Sequence, residues 1–270
     1  MGIYLNPTPE NFRRTLASEV YVDKTMMIAE LSRFIDAGNN YVCISRPRRF
    51  GKTIASEMLS AYFSKGQDTH SLFDNLKIAN APSYEDNINK YNVIKLDMNS
   101  EYQSAIEKND LIKIITFKIK KELIQEFPSV DVPDFFSIAD TIMEIHNKTG
   151  ERFIIMLDEY DVLVRENVEK QLFDEYLSFL NSLFKSATLR PAISLAYLTG
   201  ILPIVRDKVQ SKLNNFEEYT IIDSGVLSEF TGFTSDEVKS LCEKYDIDFD
   251  TCRLWYDGYK QKEYEIYNPQ

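Results

Sequence analysis

Short apolar runs rich in β-branched residues alternate with longer amphipathic segments along this chain of 270 residues. That alternation predicts an α/β fold, in which a mostly parallel sheet is flanked by helices. Three of the runs are continuously apolar, which is typical of strands buried on both faces, so we place them in the middle of the sheet. The five predicted strands cover residues 41–45, 92–97, 152–157, 193–199 and, with a weaker pattern, 219–222.

Amphipathic segments between these runs predict helices that pack on the sheet. They cover residues 23–37, 53–63, 104–126, 135–147 and 168–186. After Gly232 the pattern changes, and Thr234 or Ser235 is a candidate cap for a further helix. We therefore expect a main domain over residues 1–232 and a small C-terminal helical appendage over residues 233–270.

The composition argues against several classes of function. A net charge of −11 disfavours a protein whose whole surface coats a nucleic acid duplex, although it is compatible with a local basic groove. The chain has three cysteines without C-x-x-C spacing and two isolated histidines. This pattern disfavours a zinc site, a disulfide framework and a histidine-based triad. The chain has no membrane-length apolar run and no signal-peptide pattern at its N-terminus, so we expect no membrane span and a cytoplasmic location.

A phosphate-binding loop is the sharpest motif in the chain. Such a loop needs a strand end, a tight turn with inward-facing backbone amides, a lysine, and a magnesium-binding hydroxyl at the start of a helix. After the first predicted strand, Gly51 lets the backbone approach the phosphates closely, Lys52 supplies the cation, and Thr53 supplies the hydroxyl. The residues predicted to hold the nucleotide phosphates are Arg46, Pro47, Arg48, Arg49, Phe50, Gly51, Lys52 and Thr53.

The loop departs from the usual G-x-x-x-x-G-K-[ST] pattern at its first glycine, which is Arg46 here. Arg46, Arg48 and Arg49 offset this departure if their guanidinium groups reach the phosphates, because arginine binds phosphate through a planar fork of donors. The alternative is that the Gly-Lys-Thr tripeptide is fortuitous and that the arginines lie in a solvated turn.

A second signal follows the third predicted strand, which is strongly apolar and ends in Asp158 and Glu159. This arrangement places one carboxylate in the shell of a magnesium ion and the other beside the γ-phosphate. We predict that Thr53 and Asp158 bind magnesium and that Glu159 aligns the attacking water or accepts its proton. The alternative is an acidic turn that merely ends a strand. Asp161 is expected to cap the next segment or to pair with an arginine.

Two more candidates follow from the geometry of an open α/β sheet, in which ligands lie beyond the carboxyl ends of the strands. Thr199 ends the fourth predicted strand and either orients the attacking water or caps the next turn. Arg206 follows a few residues later and either reaches the γ-phosphate or pairs with an acid on the surface. Glu159, Thr199 and Arg206 are therefore the candidate catalytic residues.

These motifs make the chain resemble the bacterial AAA-ATPase-like family, whose members are relatives of AAA+ and archaeal ATPases. The resemblance rests on residues 21–25, 45–53, 157–161, 198–200 and 255–259, which together span nearly the whole chain. It implies a P-loop NTPase fold with the strand order 5-1-4-3-2. It also implies that Lys52 and Thr53 belong to the phosphate loop, that the two acids after the third strand act as a pair, and that Thr199 is a sensor on the fourth strand.

Members of that family commonly carry a PD-(D/E)xK nuclease-like domain after the ATPase domain. This chain ends before such a domain, and Asn268 with Pro269 resembles the start of a junction, so we expect a fragment of a longer protein. The expected partners are ATP, a second copy of the chain, and a nucleic acid bound through the missing C-terminal domain.

The pattern as a whole predicts ATP binding and magnesium-dependent ATP hydrolysis that drives a conformational change in an attached or partner domain. The expected cofactor is Mg2+ bound together with ATP. The alternative is a nucleotide-dependent binding or assembly switch with little turnover, since the sequence identifies no arginine supplied in trans. A GTPase is disfavoured because no N-K-x-D motif follows the acidic strand.

Overall fold

A five-stranded sheet, in which every neighbouring pair of strands is parallel, forms the centre of the protein. The computed structural model describes residues 2–204, 213–256, 259–261 and 264–269. The strands are β1 (Tyr41–Ser45), β2 (Asn92–Asp97), β3 (Phe153–Asp158), β4 (Ile193–Gly200) and β5 (Glu217–Tyr219). Their order is β2-β3-β4-β1-β5, which confirms the predicted α/β fold and the predicted order 5-1-4-3-2.

Four of the five strands lie where the sequence predicts them. β1 and β2 coincide with the predicted ranges, and β3 and β4 each end one residue later. β5 instead covers Glu217–Tyr219, so it starts two residues and ends three residues earlier than the predicted range of 219–222. The chain turns after Tyr219, because the amide of Thr220 donates to the carbonyl of Asp223 at 2.8 Å. Ile222, which suggested a strand, is 84% exposed on this turn.

Helices connect the strands and cover both faces of the sheet. Within the described residues, none of them has the length and apolar character needed to cross a bilayer. The α-helices are α1 (Glu10–Leu16), α2 (Met26–Ser32), α3 (Lys52–Phe63), α4 (His70–Phe73), α5 (Tyr84–Asn87), α6 (Met98–Ser104), α7 (Leu111–Glu126), α8 (Ile138–Thr149), α9 (Val162–Arg165), α10 (Lys170–Phe184), α11 (Ser235–Tyr245) and α12 (Phe249–Trp255).

The helix predicted over residues 104–126 starts later, at Leu111 of α7, and Ser104 is the last residue of a separate helix, α6. α6 starts directly at the end of β2, because the carboxylate of Asp97 accepts hydrogen bonds from the amides of Asn99 and Ser100, each at 3.0 Å. This capping brings the polar residues of α6 to the carboxyl end of the sheet.

Alternate residues of each strand point to opposite faces of the sheet, and apolar side chains cover both faces. Cys43 and Ile155 point to the face that packs against α7, α8 and α10. Val42 and Ile154 point to the other face, which packs against α2 and α3. Polar groups of the central sheet therefore lie mainly at the ends of the strands and in the loops beyond them.

The C-terminal segment contains strands as well as helices. The hydroxyl of Thr234 accepts from the amide of Glu237 at 3.3 Å, and the carboxylate of Glu237 accepts from the amide of Thr234 at 2.8 Å. This reciprocal capping confirms the predicted start of α11. The prediction of a helical appendage is incomplete, because an antiparallel sheet accompanies the helices. Its strands are β6 (Phe233–Thr234), β7 (Tyr259–Gln261) and β8 (Tyr264–Tyr267), in the order β6-β8-β7.

Polar contacts join this C-terminal segment to the rest of the chain. The ammonium of Lys24 contacts the carboxylate of Glu237 at 2.5 Å. The hydroxyl of Tyr245 donates to the carbonyl of Glu19 at 2.8 Å. The domain boundary expected between residues 232 and 233 stays a prediction.

Candidate functional site

The carboxyl ends of β1, β3 and β4 bring most of the predicted site residues to one edge of the sheet. The strand register pairs Ile44 with Thr199 and Leu157 with Leu198. The loop after β1, the acidic turn after β3 and the end of β4 therefore lie side by side. This is the edge at which open α/β sheets bind their ligands.

The loop over residues 46–51 turns the chain from β1 into α3. Gly51 has a φ of 74° and precedes Lys52, the first residue of α3. This left-handed conformation favours glycine, and Arg49 shares it with a φ of 68°. Arg46 keeps a negative φ, so the position of the usual first glycine does not require glycine in this loop.

The ammonium of Lys52 lies beneath the loop. It donates to the carbonyl of Arg46 at 3.0 Å and to the carbonyl of Pro47 at 2.9 Å, and the residue is 6% exposed. Burial lowers the pKa of Lys52, and the nearby carboxylates of Asp158 and Glu159 oppose that shift. A buried positive charge therefore lies at the N-terminus of α3, where the helix amides also favour an anion.

Arg46 has a different environment from the predicted one. Its side chain is fully buried, Nε donates to Oγ1 of Thr231 at 2.9 Å, and Nη1 donates to the carbonyls of Ser45 at 3.0 Å and Tyr219 at 2.8 Å. Burial lowers the pKa of this guanidinium to about 10, so it stays charged near neutral pH. The geometry does not support the prediction that Arg46 offers its guanidinium to phosphates, because that group ties β1 to β5 and to Thr231.

Arg48 and Arg49 are exposed, in contrast to Arg46. Both line a cleft of about 600 Å³ together with Gly51, Lys52 and Thr53. The loop therefore places two long, exposed cationic side chains and one buried ammonium around the same cleft. Guanidinium groups at such a position suit an anionic ligand with several oxygen acceptors.

Two other predicted loop residues support the shape of the loop. Phe50 is fully buried, and its carbonyl accepts from the amide of Gly232 at 3.1 Å. A Cβ atom at Gly232 would lie 3.1 Å from the Phe50 ring and 2.4 Å from the side chain of Ile266, so glycine permits this close approach. Pro47 is half-buried and offers its carbonyl to Lys52. The side chain of Phe50 thus belongs to the core.

Thr53 and Asp158 line one cavity of about 240 Å³. Asp158 is 1% exposed, and its Oδ1 accepts from the hydroxyl of Thr199 and, at 3.1 Å, from the amide of Glu159. Hydroxyl and carboxylate oxygens are ligands that Mg2+ prefers, so these two residues fit magnesium. Within the described residues, no group of three or more His, Cys, Asp and Glu side chains is arranged to bind a metal ion. The fit is therefore to an ion that takes further ligands from phosphate and water.

Thr199 is fully buried at the end of β4 and contacts Asp158. Its carbonyl accepts from the amide of Tyr160 at 3.0 Å. The following residue, Gly200, permits close packing, since a Cβ atom there would lie 2.5 Å from the ring of Tyr160. The geometry thus gives Thr199 a third role besides orienting water or capping a turn: it fixes the carboxylate of Asp158.

Glu159 starts the turn after β3 in a left-handed conformation with a φ of 51°. Its carboxylate accepts from Nη2 of Arg165, and its side chain is 25% exposed. Asp161 is buried, and its Oδ2 lies 3.1 Å from Nε of Arg165 and accepts from the amides of Ile201 at 3.1 Å and Leu202 at 2.8 Å. The expected pairing of Asp161 with an arginine is confirmed. Glu159 is the more accessible of the two acids and lines the cleft.

Sequence reasoning missed four polar residues that line the cleft, Asn99, Gln103, Arg165 and Glu166. Asn99 and Gln103 lie on α6, which was not predicted to start at the end of β2. The available signal for Arg165 was its position six residues after Glu159, which is close enough to fold back onto that acid. Arg206 lies outside the described residues, so its predicted role stays a prediction.

Comparisons with known proteins point to one family. A family model described as AAA-ATPase_like, a predicted AAA-ATPase, matches residues 10–210. A curated protein of Azotobacter chroococcum mcd 1, described as an uncharacterized protein in the vnfD 5' region, is 26% identical over 254 residues. The match covers 92% of this chain and 46% of that protein, so the chain spans less than half the length of this relative.

Solved structures with a similar arrangement include two from archaea. The Walker-type ATPase of Pyrococcus abyssi gives a TM-score of 0.44 at 16% identity, covering 85% of this chain and 63% of that chain. The ORC1 protein of Aeropyrum pernix in complex with DNA gives a TM-score of 0.43 at 13% identity, covering 91% of this chain and 55% of that chain.

Proposed function

Because this chain belongs to the AAA-ATPase-like family of predicted AAA-ATPases, we propose that it binds ATP together with Mg2+ and hydrolyses the bond to the γ-phosphate. The observation that carries the proposal is the position of Lys52, a buried cation at the start of α3 that lies near the carboxylates of Asp158 and Glu159. A cation at a helix N-terminus binds phosphate, and adjacent carboxylates supply metal binding and proton transfer.

The β- and γ-phosphates and Mg2+ each have matching groups in the cleft or in the adjoining cavity that Asp158 lines. The amides at the start of α3 and the ammonium of Lys52 bind the β- and γ-phosphates, which requires Lys52 to exchange its contacts with the loop carbonyls for phosphate oxygens. Arg48 and Arg49 add charge at the mouth of the cleft. Thr53 and Asp158 would hold Mg2+, which neutralises phosphate charge when it is bound.

Glu159 is the proposed general base. It aligns a water molecule and accepts its proton while the water oxygen attacks the γ-phosphorus, and ADP leaves with the bridging oxygen. Thr199 supports this step indirectly, because its hydroxyl fixes the carboxylate of Asp158 beside Glu159. Asp161 is unsuited to the same role, since it is 1% exposed and accepts two backbone amides.

A specific contact favours a second candidate function, a nucleotide-dependent binding switch with little turnover. The carboxylate of Glu159 is paired with Arg165 and is not free to activate water in this arrangement. A chain that keeps this pair after binding ATP would hold the nucleotide without hydrolysing it rapidly. Steady-state turnover of the purified chain, with and without DNA or RNA and over a range of protein concentrations, separates the two functions.

The wider role also belongs to this proposal. We propose that the nucleotide cycle changes the conformation of an attached or partner domain, because the loop that holds Lys52 is tied through Phe50 to Gly232, where the C-terminal segment starts. A contact of that kind transmits a rearrangement of the loop to the segment beyond residue 232. Nucleic acid and a second copy of the chain remain the proposed partners.

The direct test is the affinity of Lys52→Ala for a slowly hydrolysed ATP analogue, measured by isothermal titration calorimetry with Mg2+. We expect binding to be lost, because the backbone amides alone do not replace the ammonium on the phosphates. Lys113→Ala is the matched control, since Lys113 is an exposed lysine on α7 that pairs with Asp110. Equal affinity of the two folded variants would exclude this phosphate site.

A further inference from the structure

Arg165 contacts two carboxylates that differ in burial and in the number of groups that hold them. Its Nε lies 3.1 Å from Oδ2 of Asp161, and its Nη2 donates to Oε2 of Glu159. Asp161 is 1% exposed and is held by the amides of Ile201 and Leu202. The side chain of Glu159 is 25% exposed. The guanidinium is therefore anchored on one side and holds a movable acid on the other.

The same guanidinium lines the cleft proposed for the triphosphate. Among the residues that the structure describes, the charged side chains that line this cleft are four cations and two acids: Arg48, Arg49, Lys52 and Arg165 against Glu159 and Glu166. This excess of positive charge attracts an anion. A phosphate group entering the cleft competes with Glu159 for the Nη2 side of Arg165, because both present oxygen acceptors to the same donor.

We propose that Arg165 binds the γ-phosphate of ATP by exchanging partners, an inference that rests on the proposed function. Without nucleotide, Arg165 neutralises Glu159. With ATP present, Asp161 keeps its contact with Nε while Nη2 turns from Glu159 to a γ-phosphate oxygen. The carboxylate of Glu159 is thereby released to align water. One residue thus couples recognition of the third phosphate to exposure of the base.

This exchange predicts discrimination between ATP and ADP. ADP has no γ-phosphate, so Arg165 contributes to the affinity for ATP and leaves the affinity for ADP nearly unchanged. It also predicts that Glu159 competes with ATP for the guanidinium. Removing the charge of Glu159 therefore tightens ATP binding, and most of that gain requires Arg165.

The experiment measures affinities for a slowly hydrolysed ATP analogue and for ADP in Arg165→Ala and Arg165→Lys. Arg165→Ala is expected to weaken binding of the analogue about tenfold or more, as expected for a lost hydrogen bond to a charged group, with ADP affinity unchanged within about twofold. Arg165→Lys keeps a charge beside the buried Asp161 and is expected to restore part of the discrimination. Arg33→Ala is the control, because the exposed Arg33 also pairs with a carboxylate, that of Glu30 on α2.

A double-mutant cycle with Glu159→Gln completes the test. Glu159→Gln is expected to tighten analogue binding in the parent chain and to have a much smaller effect in the Arg165→Ala background, where only the direct repulsion between Glu159 and the phosphates is removed. Equal losses of analogue and ADP affinity, unchanged analogue affinity, or the same Glu159→Gln effect in both backgrounds would overturn the exchange. If Lys52→Ala abolishes binding in these cases, only the role of Arg165 is wrong. If Lys52→Ala also binds normally, the nucleotide site itself is wrong.

Discussion

The two ends of the central strands carry different kinds of buried polar group. At the carboxyl ends, Arg46, Lys52 and Asp158 are charged and almost fully buried. At the amino ends, the buried polar side chains include the neutral amides of Asn40 and Asn92. Asn40 donates to the carbonyls of Ile193 at 2.9 Å and Ser194 at 3.1 Å, which joins β4 to the residue before β1.

This difference indicates that the carboxyl ends of the strands lower the stability of the fold more than the amino ends do. Removing an ion from water costs several kcal/mol after relaxation, whereas a buried amide with hydrogen-bond partners costs far less. At the amino ends, neutral amide groups therefore join neighbouring strands. Neutral groups would serve the same purpose at the carboxyl ends. The charges of Lys52 and Asp158 fit a site whose ligand is itself charged, which is the pattern expected when a functional site conflicts with folding stability, whereas that of Arg46 joins β1 to β5.

The largest expected effect comes from Glu159→Gln at the carboxyl ends. Turnover of ATP should fall by roughly 10²-fold or more, because acid–base groups contribute about 10²–10⁴-fold, while ATP affinity is kept or tightened. Single-turnover hydrolysis is the measurement. Glu151→Gln makes the same change at the amino ends, where Glu151 contacts Lys65 and Asn92, and should leave turnover at the parent value. Parent-rate hydrolysis by Glu159→Gln would assign the base to another residue.

Arg46→Met is expected to lower the free energy of unfolding by about 3 kcal/mol. The substitution leaves Oγ1 of Thr231 and the carbonyls of Ser45 and Tyr219 without this donor, and a buried acceptor left unpaired costs about 1–3 kcal/mol. Urea denaturation monitored by circular dichroism gives the value.

Arg48→Met sharpens that experiment, because it removes the same group from an exposed position in the same loop. We expect a change in stability within about 0.5 kcal/mol and weaker ATP binding. If the two substitutions affect stability equally, the buried contacts of Arg46 do not support the fold as described.

The strand positions, the phosphate loop and the acidic turn could be predicted because each depends on neighbours in sequence, whereas the strand order was implied only by the family resemblance. Continuous apolar runs reveal strands buried on both faces, and Gly51 with Lys52 marks the turn into a helix. The register of β1, β3 and β4 then follows from parallel pairing. Local pattern therefore determined the edge at which the site lies.

The directions of Arg46 and Arg165 could not be predicted because they depend on distant or irregular parts of the chain. The guanidinium of Arg46 is held by Tyr219 and Thr231, which lie 173 and 185 residues away. Arg165 ends a four-residue helix, which is too short to produce a periodic pattern. An arginine-rich loop alone does not reveal which guanidinium points inward, since that choice is made by the acceptors that tertiary packing provides.

Asn40→Ala at the amino ends should lower the free energy of unfolding by about 1–2 kcal/mol without changing ATP affinity or turnover. The two carbonyls that it joins lose a donor in a site that is 4% exposed. Asn39→Ala is the matched control, because the exposed Asn39 donates to Glu217 at 3.0 Å and should lose less than about 0.5 kcal/mol. A drop in turnover for a folded Asn40→Ala chain would show that the amino ends of the strands also contribute to function.

The smallest expected effect is that of Lys65→Met, also at the amino ends. The ammonium of Lys65 contacts the carboxylate of Glu151, which also accepts from the side-chain amide of Asn92 at 2.7 Å. Both charged side chains are about one-third exposed, at 36% and 32%, so water and salt screen their attraction. We expect a loss of less than about 1 kcal/mol in the free energy of unfolding, and a smaller loss in high salt. Urea denaturation at low and high ionic strength measures both.

Because Asn92 keeps its bond to Glu151 in this variant, the start of β2 stays in place and ATP turnover should match the parent. A loss of several kcal/mol, or one that salt does not reduce, would mean that a charge at the amino ends is as strongly coupled to the fold as the buried charges at the carboxyl ends.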